Sequence, residues 1–275
     1  MKKICLFFIF AFVCVLSACA AQSGGGINDP DPAQTVAYSD YASVQSDWLV
    51  WKTAKEMVEF EYAHQAFIGK ITGISFQVHD RSTGLPPEEG ALEKHVRERG
   101  VEANPEWIFE LVTIYDVEVI AQYKGETASK LQFKMMGGLR DVRVEEQLAV
   151  MKEYGLKYIH LLEDSPEIKI GGTYLLVLGQ LGNGLPSPLN PIQAIYDLRD
   201  PFQKNTFSRE LPEPPGSYYD KSWDENTGSF ISARDVISAF GEEKWDVFWA
   251  QWQKENPDWK TRLDENAVKR ALAVK

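Results

Sequence analysis

The side chains best able to do chemistry are spread thinly along this chain. The four histidines are His64, His79, His95 and His160, and no two have the i, i+4 spacing that places two metal ligands on one helix face. His79 and Asp80 form the most suggestive pair, although such a pair is also typical of a surface turn. The sequence contains no HExxH motif, no GxSxG elbow and no phosphate-binding loop. It therefore predicts no catalytic residue, no metal site and no cofactor.

Three tryptophans near the C-terminal end form the strongest side-chain pattern. Trp245, Trp249 and Trp252 are spaced i, i+4 and i+7, which places their rings along one face of a helix. One interpretation is a packed core, since full burial of each ring contributes roughly 2–3 kcal/mol. The other is a ligand or partner face for sugar rings or a partner helix, because an indole offers a broad apolar surface and one N–H donor.

The N-terminal residues have the layout of an export signal. Lys2 and Lys3 precede an uninterrupted apolar run over residues 4–16, and two small residues follow before Cys19. A membrane-spanning helix is the alternative interpretation. The 13 residues of the run would make a helix of roughly 20 Å, which is shorter than the ~30 Å hydrocarbon core of a bilayer.

The tetrapeptide Leu16-Ser17-Ala18-Cys19 resembles the lipobox of bacterial lipoproteins, whose cysteine is lipidated before the signal is removed. The resemblance implies a lipoprotein signal peptide over residues 1–18 and lipidation of Cys19. It also implies an extracytoplasmic protein that is lipid-anchored to the cell membrane or the outer membrane.

Cysteine usage and charge are consistent with this interpretation. All three cysteines lie at or before Cys19, so the rest of the chain has no thiol for a disulfide, a metal or a nucleophile. Loss of Lys2 and Lys3 with the signal would take the formal net charge from −11 to −13. Such an acidic surface repels nucleic acid. The predicted partners are therefore the membrane, through the N-terminal lipid, and an envelope protein or glycan, with no nucleic acid.

Strand patterns dominate the middle of the chain. Alternating or continuous apolar runs predict strands over residues 66–78, 107–123, 131–136, 173–178 and 192–198. Gly69 and Gly73 interrupt one face of the first of these strands. Because glycine permits a tight bend, this pattern favours a sheet that curls into a small barrel.

The order of four short motifs carries a second resemblance. These are FIGKIT at 67–72, YDVEV at 115–119, KGE at 124–126 and GGTYLLVL at 171–178. Their order is similar to a barrel module of uncharacterised bacterial surface proteins, and to the OB-like barrels of netrin and metalloproteinase-inhibitor domains. The resemblance implies an OB-like β-barrel and little chemistry, because fold does not fix function. The chain lacks the cysteine framework of the inhibitor domains, so protease inhibition is not carried over.

The predicted fold class is α+β, mainly β, with a small OB-like β-barrel followed by a C-terminal helical segment. The predicted organisation is a signal peptide (1–18), a flexible tether (19–45), the barrel domain (46–200), a linker (201–228) and the helical segment (229–275). Two capping signals support helix starts: Thr53 with Glu56, and Ser232 with Asp235.

Two functions remain open at this point. The preferred one is a non-enzymatic binding or structural role in the cell envelope, exercised by a membrane-anchored extracytoplasmic lipoprotein. The alternative is a hydrolase that acts on extracellular polymers with scattered carboxylates. That alternative requires two carboxylates roughly 5–10 Å apart at the base of a groove.

Overall fold

A computed structural model describes the backbone of residues 41–44 and residues 51, 53–99, 104–162, 166–180, 184–205 and 231–263. All of them belong to one compact unit, residues 38–275. The predicted signal peptide, Cys19, most of the tether and most of the linker lie outside the described residues.

The strands in chain order are β1 (Tyr41–Val44), β2 (Gln65–Asp80), β3 (Phe109–Lys124), β4 (Lys130–Met136), β5 (Ile159–Leu162), β6 (Thr173–Gly179), β7 (Ser187–Pro188), β8 (Ile195–Asp197), β9 (Lys204–Asn205) and β10 (Ile231–Ser232). The helices are α1 (Ala54–Glu59), α2 (Ala91–Arg99), α3 (Pro105–Ile108), α4 (Val144–Lys152), α5 (Ala233–Ser238), α6 (Glu242–Glu255) and α7 (Trp259–Arg262). None of the helices in the described part of the chain is long and apolar enough to cross a bilayer.

The main sheet has six antiparallel strands in the order β4-β3-β2-β6-β7, and β8 also pairs with β6. Together with the helices at the C-terminal end, this sheet confirms the predicted α+β class. The prediction of a closed barrel is wrong for the residues that the structure describes, because among them no ladder joins β4 to β7 and the sheet is open. The Lys134 N–H does donate to the Pro186 carbonyl across this gap, at 2.9 Å. β7 has two residues, one of them Pro188, and proline has no N–H with which to extend a ladder.

The two faces of the sheet bury two separate groups of apolar side chains. β6 shows the division, because Leu176 and Leu178 pack on the inner face while Leu175 and Val177 pack on the outer one. This burial on both faces agrees with the continuous apolar run of its sequence. The inner group is completed by side chains of β2, β3 and β4, among them Phe67, Ile71, Tyr115, Val117 and Phe133.

The C-terminal helices cover the outer face. Ser232 caps the N-terminus of α5, and its side chain and that of Asp235 form the predicted capping box. Thr53 likewise caps α1 by accepting a hydrogen bond from the Glu56 N–H, at 3.1 Å. Val236 of α5 is fully buried in the same group as Leu175 and Val177, so packing on the sheet stabilises these short helices more than propensity does.

A second sheet has two strands and joins distant parts of the chain. β1 pairs in parallel with β5, with Tyr41 opposite Ile159 and Val44 opposite Leu162. Residues 41–44 were predicted as the last part of the tether, and in the structure they form a strand instead. The backbone of β5 meets the chain just after β4, where the Gly138 N–H donates to the His160 carbonyl at 2.9 Å.

Candidate functional site

A polar cleft lies at the end of the main sheet where β2 ends and β3 begins. Its volume is roughly 350 Å³, including the solvent at its mouth. Its floor is formed by the first residues of β3 and the end of β4, and its walls by α3, β5 and the loop before β5. Two carboxylates, a guanidinium and an imidazole line it: Glu106, Glu110, Arg81 and His160. The remaining side chains include Phe109, Leu111, Met136, Leu156, Tyr158 and Leu162.

Arg81 and Glu110 form the first ion pair of the cleft. The register of the sheet places Arg81 directly after β2, and Glu110 is the second residue of β3. The guanidinium Nη1 lies 3.3 Å from Glu110 Oε2, and Arg81 Nε donates to the Phe109 carbonyl at 3.1 Å. Burial raises the pKa of Glu110, although the charges of Arg81, Lys134 and His160 all act in the opposite direction.

Glu106 and His160 form the second pair. Asn104 caps α3 and Pro105 is its first residue, so the sequence starts a helix that presents Glu106. Glu106 Oε2 lies 3.3 Å from His160 Nε2, and Oε1 accepts a hydrogen bond from the Lys157 N–H at 2.6 Å. Burial acts to raise the pKa of Glu106. Hydrogen bonds from His160 and from the backbone of Lys157 outweigh it and leave the pKa below its usual value.

A second polar cluster lies at the same end of the sheet. Asp80 accepts hydrogen bonds from the Ser82 hydroxyl at 2.6 Å and the Ser82 N–H at 2.7 Å, and its other oxygen lies 2.9 Å from His95 Nε2. His79 Nδ1 lies 3.2 Å from Lys134 Nζ. Burial and the Lys134 charge lower the pKa of His79 to about 4. His79 and Asp80 are therefore buried groups with defined partners, and not the exposed turn that their sequence suggested.

The hydrogen bonds to the Asp80 carboxylate predict that the folded protein loses stability in acid. Burial acts to raise its pKa, but hydrogen bonds from Ser82 and His95 outweigh this effect and place the pKa below the ordinary value of 3.8. A lowered carboxyl pKa stabilises the folded state above the unfolded-state value, and this stabilisation is lost as pH falls through the folded-state pKa. We expect the unfolding free energy to decrease as pH falls from about 5 to below the ordinary carboxyl pKa, and Asp80→Asn to make this decrease smaller.

The measurement is urea unfolding across that pH range, followed by circular dichroism. Asp246→Asn is the matched control, because it removes the same charge from an exposed position of α6. An Asp80→Asn variant with the same pH slope as the wild type and the control would contradict the role of Asp80.

The predicted site residues Trp245, Trp249 and Trp252 do not line the cleft. Trp245 and Trp252 are 1% and 6% exposed, and Trp249 lies half-buried between them, with ring centroids 5.6 Å and 5.1 Å away. Trp252 Nε1 donates to the Leu198 carbonyl at 2.8 Å. Trp245 and Trp252 thus lie in the core, in agreement with the first interpretation of their spacing, and Trp249 packs against it. A ligand or partner face at these rings stays a prediction. Cys19 lies outside the described residues.

The cleft residues were not singled out from the sequence. Glu110 gave the clearest signal, because it is the one charged residue in the apolar run Phe109-Glu110-Leu111-Val112. A charge in a buried strand requires a partner. Arg81, Glu106 and His160 gave no comparable signal, since strand pairing brings them together across 79 positions of sequence (81 to 160). In the described part of the chain, no group of three or more His, Cys, Asp or Glu side chains could hold a metal ion.

Comparisons with known proteins do not extend this description. No protein-family model matches the chain, and no curated protein or solved structure matches it. The resemblances to bacterial lipoproteins and to OB-like barrel modules therefore stay predictions.

Proposed function

We propose that this chain is a membrane-anchored extracytoplasmic lipoprotein with a non-enzymatic binding role in the cell envelope, and that it binds a small molecule in the cleft between Arg81 and His160. The observation that carries the binding role is the cleft itself. It combines apolar side chains with the Arg81–Glu110 ion pair and the polar contact between Glu106 and His160, and small-molecule sites usually have such a mixed lining.

The burial of the two carboxylates supports a site more than a structural contact. The side chains of Glu106 and Glu110 are 15% and 14% exposed. Their carboxylates are therefore largely removed from water, although the cleft opens to solvent. Charged groups gathered in an apolar cleft with shifted pKa values are characteristic of functional sites.

The anchor is tested by metabolic labelling with a radioactive fatty acid. Acylation of the Cys19 thiol would place label on the wild-type protein and none on Cys19→Ala. Label of equal strength on the Cys19→Ala variant would refute the anchor.

The binding role is tested by closing the cleft. The purified full chain is incubated with a mixture of small polar and amphipathic molecules, and bound masses are read by native mass spectrometry. Leu162 is a half-buried lining residue, so Leu162→Trp should fill the cleft and abolish the bound mass. Ile170→Trp is the control, because Ile170 is 59% exposed and does not line the cleft.

Equal binding by the Leu162→Trp variant would place the ligand elsewhere and overturn the proposed site. Recovery of cleaved products in place of the intact molecule, lost in the same variant, would instead favour the hydrolase with Glu106 and Glu110 as its carboxylates.

A further inference from the structure

Two large aromatic side chains are exposed where the N-terminal segment joins the folded body. Trp107 is 63% exposed and Tyr158 is 44% exposed, and we name this pair the aromatic patch. The inference rests on the lipid anchor proposed above and not on the cleft. We propose that the aromatic patch lies on the surface of the phospholipid bilayer that holds the anchor.

One hydrogen bond brings the two rings to the same surface. The backbone N–H of Lys157 donates to Glu106 Oε1 at 2.6 Å, and Trp107 and Tyr158 each directly follow one of these two bonded residues. Leu156, which is 8% exposed, fixes the loop before β5 in the inner apolar group. Both rings are therefore carried by backbone that is held in place.

The N-terminal segment enters the body beside Tyr158. β1 pairs in parallel with β5, and Tyr41 lies opposite Ile159, the residue after Tyr158. The 21 residues between Cys19 and Tyr41 (20 to 40) can span at most about 75 Å. The flexible tether predicted there would span about 25 Å on average. A lipid on Cys19 would therefore hold the aromatic patch close to the bilayer.

The chemistry of the two rings suits the headgroup region of a bilayer. Indole and phenol combine an apolar body with a polar tip, and Trp and Tyr are enriched at the boundary between membrane and water. Tryptophan is highly buried on average in folded proteins, so Trp107 leaves an unusually large apolar surface in water. The tether would keep this surface at an effective concentration of about millimolar, so a weak contact is enough.

Charge determines which lipid is the appropriate probe. Both oxygens of Glu106 already have partners, Lys157 and His160, so this residue does not present a free carboxylate beside the rings. The formal net charge of −11 opposes approach to an anionic bilayer. The rings, and not ionic attraction, must then provide the contact. Phosphatidylcholine, which is neutral overall, is therefore the probe.

A fluorescent reporter beside the rings tests the contact. All three cysteines lie at or before Cys19, so the lipidated and processed protein has no free thiol, and Lys157→Cys introduces one. The protein is purified from membranes, labelled with a dye at this thiol, and reconstituted on phosphatidylcholine vesicles that contain spin-labelled lipid. Lys254→Cys is the matched control, because Lys254 is an exposed lysine of α6, which packs on the other face of the sheet.

We expect the spin label to quench the dye at position 157 and to leave the dye at position 254 unchanged. Trp107→Ala combined with Tyr158→Ala should restore the emission at position 157 to the level at position 254. Both side chains are exposed, so their removal should leave the fold intact, and circular dichroism checks this.

Equal quenching at the two positions, or quenching at position 157 that survives removal of both rings, would overturn the inference. An unquenched dye at position 157 on a protein that floats with the vesicles would also overturn it. That result would leave the anchor standing and favour a glycan or protein partner for the rings. Dye uptake by the wild type would reveal an unmodified cysteine and refute the anchor together with this inference, whereas the Leu162→Trp experiment tests the cleft separately.

Discussion

Replacement of Trp245 by alanine is expected to lower the free energy of unfolding by about 3–5 kcal/mol, the usual range for removal of a large aromatic ring from a core. Trp245 is 1% exposed. Its ring stacks on Trp249 and meets Phe202 edge to face, at centroid distances of 5.6 Å and 5.5 Å. Trp249 lies on α6 itself, and Phe202, which follows β8, packs on Trp249 as well, with ring centroids 5.2 Å apart. Because these neighbours are held by their own packing, they cannot both move into the space, and the substitution leaves a cavity.

The measurement is urea unfolding of the full chain followed by far-ultraviolet circular dichroism. Val247→Ala provides the control, because Val247 lies on the same helix and is 73% exposed; its effect should stay within about 0.5 kcal/mol. A Trp245→Ala variant as stable as this control would show that α6 does not depend on its contact with the sheet.

Local sequence patterns predicted the elements of this fold well. The alternation in Tyr115-Asp116-Val117-Glu118-Val119 marks a strand in the protein, and Ser232 with Asp235 marks the start of a helix. These signals depend on residues only a few positions apart, because side-chain direction has a period of two in strands and capping spans three residues. Such patterns can be interpreted without knowing the rest of the chain.

The pairing of distant segments was much harder to predict. Nothing in Tyr41–Val44 indicates a parallel partner more than a hundred positions away in β5, and this segment was assigned to the tether. The closed barrel was overpredicted for a similar reason. Closure depends on a ladder between β4 and β7, and Pro188 gives its short strand no N–H at that position.

The cleft was hidden from the sequence for the same physical reason. Apart from Glu110, its charged residues look like ordinary surface positions. The β2–β3 pairing places Asp80 opposite Phe109 and so brings Arg81 beside Glu110. The tryptophan pattern, in contrast, was visible in the sequence. Its spacing correctly predicted three rings on one helix face, but it could not show whether that face packs in the core or binds a ligand. A regular apolar pattern identifies a buried face, whereas a site depends on irregular polar residues that tertiary structure brings together.

The close packing of Gly69 against β3 can be tested by substitution. It lies between Phe67 and Ile71, whose side chains pack on the inner face, and at one of the register shifts between β2 and β3. A Cβ atom at this position would overlap Val117 Cγ1, and Val117 is 1% exposed. We therefore expect Gly69→Ala to destabilise the protein by about 2–3 kcal/mol, in the range of core overpacking, as measured by urea unfolding.

Gly73→Ala is the matched control, since Gly73 also lies in β2 at a register shift. A Cβ atom there would meet the carboxylate of Asp116, which can rotate away with the loss of an exposed hydrogen bond from Gln132, so the cost should stay below about 1 kcal/mol. The added change Val117→Ala should reduce the penalty of Gly69→Ala, because it removes the overlapping methyl group; the non-additivity of the two changes measures their contact. Equal penalties at the two glycines, or strictly additive effects of the pair, would show that contact with Val117 does not require glycine at position 69.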